Sequence, residues 1–142
     1  MTPTQIEQVQ VSWRLIVPHM DTLASLFYFR LFELEPSLKP LFKRDIQTQS
    51  HKLVSMLDTA VRNLHQAEKI IPAVQALGRR HVGYGAKPEH YNIVAEALLW
   101  TLEQGLGDAF TEEVEQAWTD AYMLLATVMQ EAAEETLEEA VA

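Results

Sequence analysis

The chain is 142 residues long, 48% apolar and 22% charged, with no cysteine and a formal net charge of -9. That is the length of one domain with room for a real core, too apolar for disorder, and without the run of roughly 18–20 apolar residues that crosses a bilayer. The missing cysteines exclude disulfides, thiolate metal sites, cysteine nucleophiles and thioether-held cofactors. The acidity falls in residues 103–142, which hold eleven acids and no Lys or Arg; it reads as a solvated helix face and argues against nucleic acid.

The punctuation is helical throughout. Thr2, Pro3 and Gln5 form an N-cap, a first-turn proline and a capping-box partner, and the apolar face Ile6, Val9, Trp13, Ile16 follows at steps of 3 and 4. Pro18 closes or bends that helix. Asp21 or Thr22 is expected to cap the next, whose face is Leu23, Leu26, Phe27, Leu31, Leu34. Pro36 opens a short segment ending at Phe42. The polar stretch Asp45–Ser50 leads into a helix with Gln49, Leu53, Met56, Leu57, Ala60, Val61 and Leu64 on one face. Pro72 starts a helix carrying Val74, Leu77 and His81, and Gly83 and Gly85 end it. Pro88 opens another, with Tyr91, Val94, Leu98 and Leu102 in a row, and Gly105 and Gly107 close it. Thr111 caps the last, with Glu112 and Glu113 at its positive end and the row Val114, Trp118, Ala121, Leu125, Val128, Ala132. No β alternation, hairpin signal or internal repeat occurs. The expectation is an all-α protein of about six substantial helices and one or two short ones, occupying residues 1–142 as one domain, with 131–142 its acidic and frayed end. The segments 36–50 and 83–88 are too irregular for a plain up-and-down bundle. MTPTQIEQVQ lacks the basic start and apolar stretch of a secretory signal, so a cytoplasmic location is expected.

The usual enzyme signatures are missing: there is no GxGxxG, P-loop, HExxH or EF-hand pattern. What stands out is three polar residues among apolar neighbours. His81 completes the row Val74–Leu77–His81, where a lone histidine is ordinarily a satisfied core residue. Gln49 heads its row and reads equally as a cap. Tyr28, among Phe27, Phe29 and Phe32, reads equally as a core tyrosine whose hydroxyl meets a carbonyl.

Their joint arrangement carries more. FYFRLF (27–32), EPSLKPLF (35–42), Gln49 with Leu53, LGRRH (77–81), KPEHYNIV (87–94) and AWTDAYMLLATVM (117–129) together resemble bacterial globins, in one unbroken order over nearly the whole chain. The resemblance is to single-domain bacterial haemoglobins and the globin part of flavohaemoglobins. It implies a globin fold around one haem b, held without a covalent bond, as the absence of cysteine requires. By resemblance His81 is the proximal iron ligand and Phe42 packs flat on the porphyrin. Tyr28 and Gln49 line the ligand side, with Leu53 one turn along. Tyr91 matches a tyrosine that hydrogen-bonds a glutamate reaching the proximal histidine. An ungapped count from Trp118 puts that glutamate at Glu135, with Glu134 and Glu131 as alternatives. Lys43, Arg44, Arg79 and Arg80 flank the expected haem contacts as candidates for its propionates. His51, two residues from Gln49, points roughly 200° away from the pocket face, so an open sixth iron position is expected. His19, His65 and His90 are expected at the surface.

The implied function is reversible binding of O₂, NO and CO, and further of sulfide, by a monomer. NO dioxygenation forms a second layer and needs electrons from a separate reductase. A haem-based gas sensor and a haem-free globin-fold interaction module are the alternatives. The absence of a Gly-Gly pair and the full N-terminal helix argue against the shorter truncated globins.

Overall fold

The structure is a computed structural model that describes residues 1–42, 45–83 and 86–141, with side chains of the last helix described through residue 136. Among the described residues it has six α-helices and no strand: α1 (Pro3–Ile16), α2 (Met20–Leu34), α3 (Ile46–Arg62), α4 (Ile71–Gly83), α5 (Pro88–Leu106) and α6 (Glu112–Val141). Short 3₁₀ turns fill Val17–His19, Pro36–Leu41, Leu64–Lys69 and Gly107–Ala109. No described helix is long and apolar enough to cross a membrane.

The helix ends follow their capping chemistry. Thr2 and Gln5 close a capping box on α1, and the Asp45 carboxylate accepts from the Thr48 amide at 2.9 Å to start α3. Thr111 caps α6 through the Val114 amide at 3.3 Å. Two ends differ from the sequence reading. The turn at Pro18 tightens into a 3₁₀ segment, so α2 begins at Met20 without a side-chain cap and Asp21 sits in its first turn, favourable to the helix dipole. Gly105 lies inside α5 rather than ending it. A Cβ there would come within 2.9 Å of a Leu23 methyl and 3.2 Å of Ile16, so its bare Cα lets α5 lie close to α1 and α2. The stop is Gly107, whose φ of 55° is the left-handed conformation glycine adopts without strain.

The long α6 is the spine. It packs most extensively on α4 and also on α1, while α2 lies across α5 and α3. The core gathers Val9, Trp13 and Ile16 of α1, Phe27, Tyr28 and Leu31 of α2, Leu98 and Leu102 of α5, and Trp118 and Ala121 of α6. Each large apolar side chain so buried contributes about 1.5–3 kcal/mol. Polar ties fix the register. The Trp118 indole donates to buried Ser12 at 2.8 Å, the Trp13 indole donates to Asp58 at 2.9 Å, and Gln5 reaches Asp120 at 2.7 Å. The 3₁₀ corners between the helices set where α3 and α4 start, and with them the candidate side chains.

Candidate functional site

Tyr28 is buried on α2, where it meets three other aromatic rings. Phe27 lies 5.1 Å away, Phe42 5.5 Å and Phe32 6.1 Å between centroids, and Phe42 also meets Phe32 edge-on at 5.3 Å. Phe42, the residue that ends the 3₁₀ turn after α2, therefore leaves that turn already locked by two rings. The Tyr28 hydroxyl donates to the Gln49 carbonyl across the α2–α3 gap, at a long 3.4 Å. Burial pushes this hydroxyl well above its ordinary value, and a side-chain hydrogen bond with Gln49 pulls it back by less. Tyr28 is thus a neutral phenol, loosely engaged, beside a half-buried amide. Leu53, one turn beyond Gln49, packs half-buried against the core.

His81 is half-buried near the end of α4, and its Nδ1 lies 2.8 Å from the Leu77 carbonyl four residues back. A carbonyl only accepts, so Nδ1 carries the proton and Nε2 the lone pair. Burial holds the ring below its ordinary value of 6.5; the Leu77 bond works against this and the Arg80 charge adds to it. The outcome is a neutral imidazole of fixed tautomer, the form that ligates a transition metal. The position of α4 is set by Gly78: a Cβ there would meet the Met129 carbonyl oxygen at 2.3 Å and its Cα at 2.7 Å, so α4 touches the α6 backbone directly.

Glu135, Glu134 and Glu131 are all exposed, whereas Ala132 is buried and Ala133 and Thr136 are half-buried. At about 100° per residue, Glu135 stands about 120° around α6 from Met129, the residue against Gly78, while Ala133 stands only about 40° away. Tyr91 is half-buried on α5 with its hydroxyl pushed up by burial, and its carbonyl accepts from the Tyr122 hydroxyl at 2.5 Å. Tyr122, a residue the sequence reading passed over inside the AWTDAYM segment, ties α6 to the start of α5; burial, then the neighbouring Tyr91, raise its hydroxyl.

Arg79 and Arg80 are exposed on α4, and Lys43 and Arg44 lie outside the described residues. His51 is exposed on the side of α3 that faces the start of α2, not on the Gln49–Leu53 face. His19 and His65 are exposed, and His90 accepts from the Lys87 amide at the start of α5. Gly78 also escaped the sequence reading, while Phe32 was named there only as a neighbour of Tyr28. Phe32 was legible as the residue one turn beyond Tyr28; for Gly78 the only signal was a glycine inside a helix.

The site residues thus fall on three helices of an all-α protein: a carbonyl-held histidine on α4, and on α2 and α3 a phenol beside an amide with aromatic backing. The Globin family profile matches residues 25–129, and the chain belongs to the globin family. It is 35% identical over 133 residues to the flavohemoprotein of Xylella fastidiosa (strain Temecula1), covering 92% of this chain and 33% of that protein. It is 36% identical over 124 residues to the flavohemoprotein of Bacillus subtilis, covering 85% and 31%. The chain thus spans about a third of the length of these curated relatives. Its fold is also that of a solved hexacoordinated heme protein from an anhydrobiotic tardigrade, at a TM-score of 0.85 and 18% identity over 94% of this chain and 96% of the other. Haem-based gas binding is the activity that membership of this family supports.

Proposed function

We propose that residues 1–142 act as one globin domain that holds a non-covalent haem b through His81 and reversibly binds O₂, NO and CO, with sulfide as a further ligand. The observation that carries this is the 2.8 Å contact of His81 Nδ1 with the Leu77 carbonyl, which presents Nε2 as the lone-pair nitrogen on an otherwise apolar row. The residues fit the group: the imidazole is neutral, no thioether is required, and Phe42 and Leu53 offer apolar surface beside it. When bound, haem iron supplies the coordination position at which a diatomic gas is held. Tyr28 and Gln49 then serve as hydrogen-bond donors that bring no formal charge. Because the Tyr28 contact with Gln49 is long, the phenol turns to a polar ligand at little cost. Phe27, Phe32 and Phe42 hold its ring in place and keep water away.

The tardigrade protein is described as hexacoordinated; here the sixth position is read as open, because His51 faces away from Gln49 and an amide ligates iron poorly. Exposed Arg79 and Arg80, with Lys43 and Arg44, are the candidate propionate partners. A second layer is NO dioxygenation, in which O₂ and NO give nitrate and a separate reductase restores the iron. The reading takes the chain as a cytoplasmic monomer. Ultraviolet–visible spectra of the ferric, ferrous, O₂ and CO forms, followed by NO consumption with a generic reductase, test it. A purified protein with no Soret band after haem addition would overturn the haem reading. A stable O₂ complex that leaves NO untouched would confine the function to binding.

A further inference from the structure

Helix α1 carries two apolar rows. Val9, Trp13 and Ile16 are buried in the core. Val11 and Leu15 stand about 200° around the helix from Val9 and Trp13. They are 45% and 58% exposed, and the core makes no use of them. Together with Thr4, Gln8, Ala109 and Val114 they line a groove of about 330 Å³. It lies between the outer side of α1, the turn Gly107–Ala109 and the first turn of α6. None of Tyr28, Phe42, Gln49, Leu53 or His81 lines it. Its floor is pinned: Ser12, which also lines it, accepts from the Trp118 indole at 2.8 Å, and Gln5 reaches Asp120 at 2.7 Å.

The walls are apolar and the edge is acidic. Glu7 lines the groove itself. Asp108 precedes Ala109, and Glu113 and Glu115 flank Val114 at about 100° on either side. All four acids are exposed, and among the described residues none of them forms an ion pair. Glu113 and Glu115 also suit the positive end of α6, but that does not account for Glu7 in the middle of α1. Of the elements that build the groove only α1 supplies a Lys or Arg, and that is Arg14 alone. An apolar surface rimmed by charge is the form that a protein-binding site takes.

We propose that this groove docks an amphipathic helix of a partner protein, its apolar row laid along Val11 and Leu15 and its flanking Lys or Arg meeting the four carboxylates. The occupant follows from the charge. A second copy brings the same acidic edge and a net charge of -9, so carboxylates would face carboxylates. Anionic lipid and nucleic acid are repelled for the same reason. A helix matches the floor, because Thr4, Gln8, Val11 and Leu15 repeat at steps of 4, 3 and 4 and form one ridge for another helix to lie beside. Docking here involves none of the gas-binding residues and stands or falls without haem.

Fluorescence anisotropy of a labelled synthetic helix, with a leucine row and lysine flanks, tests this against the full chain. Binding is expected, and Leu15→Glu, at an exposed position, is expected to weaken it at least about tenfold. Glu113→Gln with Glu115→Gln is expected to weaken it about threefold at low ionic strength and to have no effect in high salt. Leu124→Glu, at an exposed leucine about 15 Å along α6 from Val114, is expected to leave the affinity at its parental value. The same peptide with glutamate flanks is expected not to bind. Amide shifts in the parent, confined to the surroundings of Val11, Leu15, Ala109 and Val114, should mark the groove, and this readout needs no variant. No binding of the lysine peptide, equal binding of the glutamate peptide, equal weakening by Leu124→Glu, or shifts elsewhere would each overturn the proposal. So would a dimer in sedimentation that Leu15→Glu breaks, since the groove would then belong to a second copy.

Discussion

On the α2–α3 side of the candidate site the chemistry sits in side chains: a buried phenol, the three phenylalanines against its ring, and the amide of Gln49 beside it. On the α4–α6 side it sits in the backbone. The Leu77 carbonyl sets the tautomer of His81, and the Met129 carbonyl is the surface on which Gly78 rests. The two walls tolerate change differently. A side-chain donor is adjusted by substitution, with graded effects. A backbone contact is kept or lost with the helix that carries it.

The largest expected effect is at the ligand itself. His81→Ala should remove stable haem, read as loss of the Soret band after haem addition, with recovery on adding imidazole. Unchanged haem content would leave the α4 wall without its assigned chemistry. Next comes Gly78→Ala. Alanine would ordinarily favour a helix by about 0.5–1 kcal/mol, but here its Cβ would stand 2.3 Å from the Met129 oxygen. Backbone cannot swing aside, so the helices must part, at a net cost of about 1–3 kcal/mol. Thermal unfolding of the apo-protein reads this; a raised melting temperature would mean that α4 does not press on α6.

The side-chain wall should respond by degrees. A hydrogen bond to a partly charged ligand is worth roughly 1.5–3 kcal/mol, or roughly 10- to 150-fold in an equilibrium. Tyr28→Phe should therefore speed O₂ release at least about tenfold in stopped flow while CO release barely moves. Gln49→Leu should act in the same direction but less, because an amide is the weaker donor and rotates away. Parental O₂ release in both variants would reduce the pair to packing.

The same burial that keeps Tyr28 neutral gives a pH signature. Tyr28 and Tyr122 both ionise above their ordinary value of 10.0 in the folded protein and near it in the unfolded chain. Above pH 10 the unfolded state therefore holds fewer protons, and stability, full below that pH, declines as pH rises further. Denaturant midpoints on either side of pH 10 measure the decline, and native phenolate absorbance for all the tyrosines at their ordinary value would contradict it. The smallest effect belongs to Glu135→Gln. Because Glu135 is exposed and about 120° from the α4-facing side of α6, the Fe–His stretching frequency of the ferrous protein should stay put. A downward shift would make Glu135 the carboxylate partner of His81.

What the sequence made legible divides along the same wall. Tyr28, Gln49, Phe42 and His81 stand out only through the resemblance to bacterial globins that their segments carry together, while the helix order follows from prolines, glycines and apolar rows. The support on the α4–α6 side does not. A carbonyl is present at every residue, so nothing marks that of Leu77. Gly78 looks like an ordinary helix glycine until α6 is set against it. For the expected glutamate, five acids crowd residues 131–139, and only the helix phase relative to Met129 tells which face each occupies. The 3₁₀ corner at Val17–His19 moved the start of α2 for a related reason: Pro18 marks a bend, but its tightness depends on where α1 and α2 must go.

The ties between the first and last helices bear on how the chain is made. Ser12 waits for Trp118 and Gln5 for Asp120, partners 106 and 115 residues further along. At about 5–20 residues per second, a ribosome needs on the order of 5–20 s to supply that stretch. During that interval Val9, Trp13 and Ile16 have no α6 to lie against, and α4 has no backbone to meet Gly78. Synthesis thus delivers the part of the chain bearing Tyr28, Gln49 and His81 before the helix that fixes its shape. The window in which the nascent protein is exposed to aggregation closes only when the acidic helix emerges.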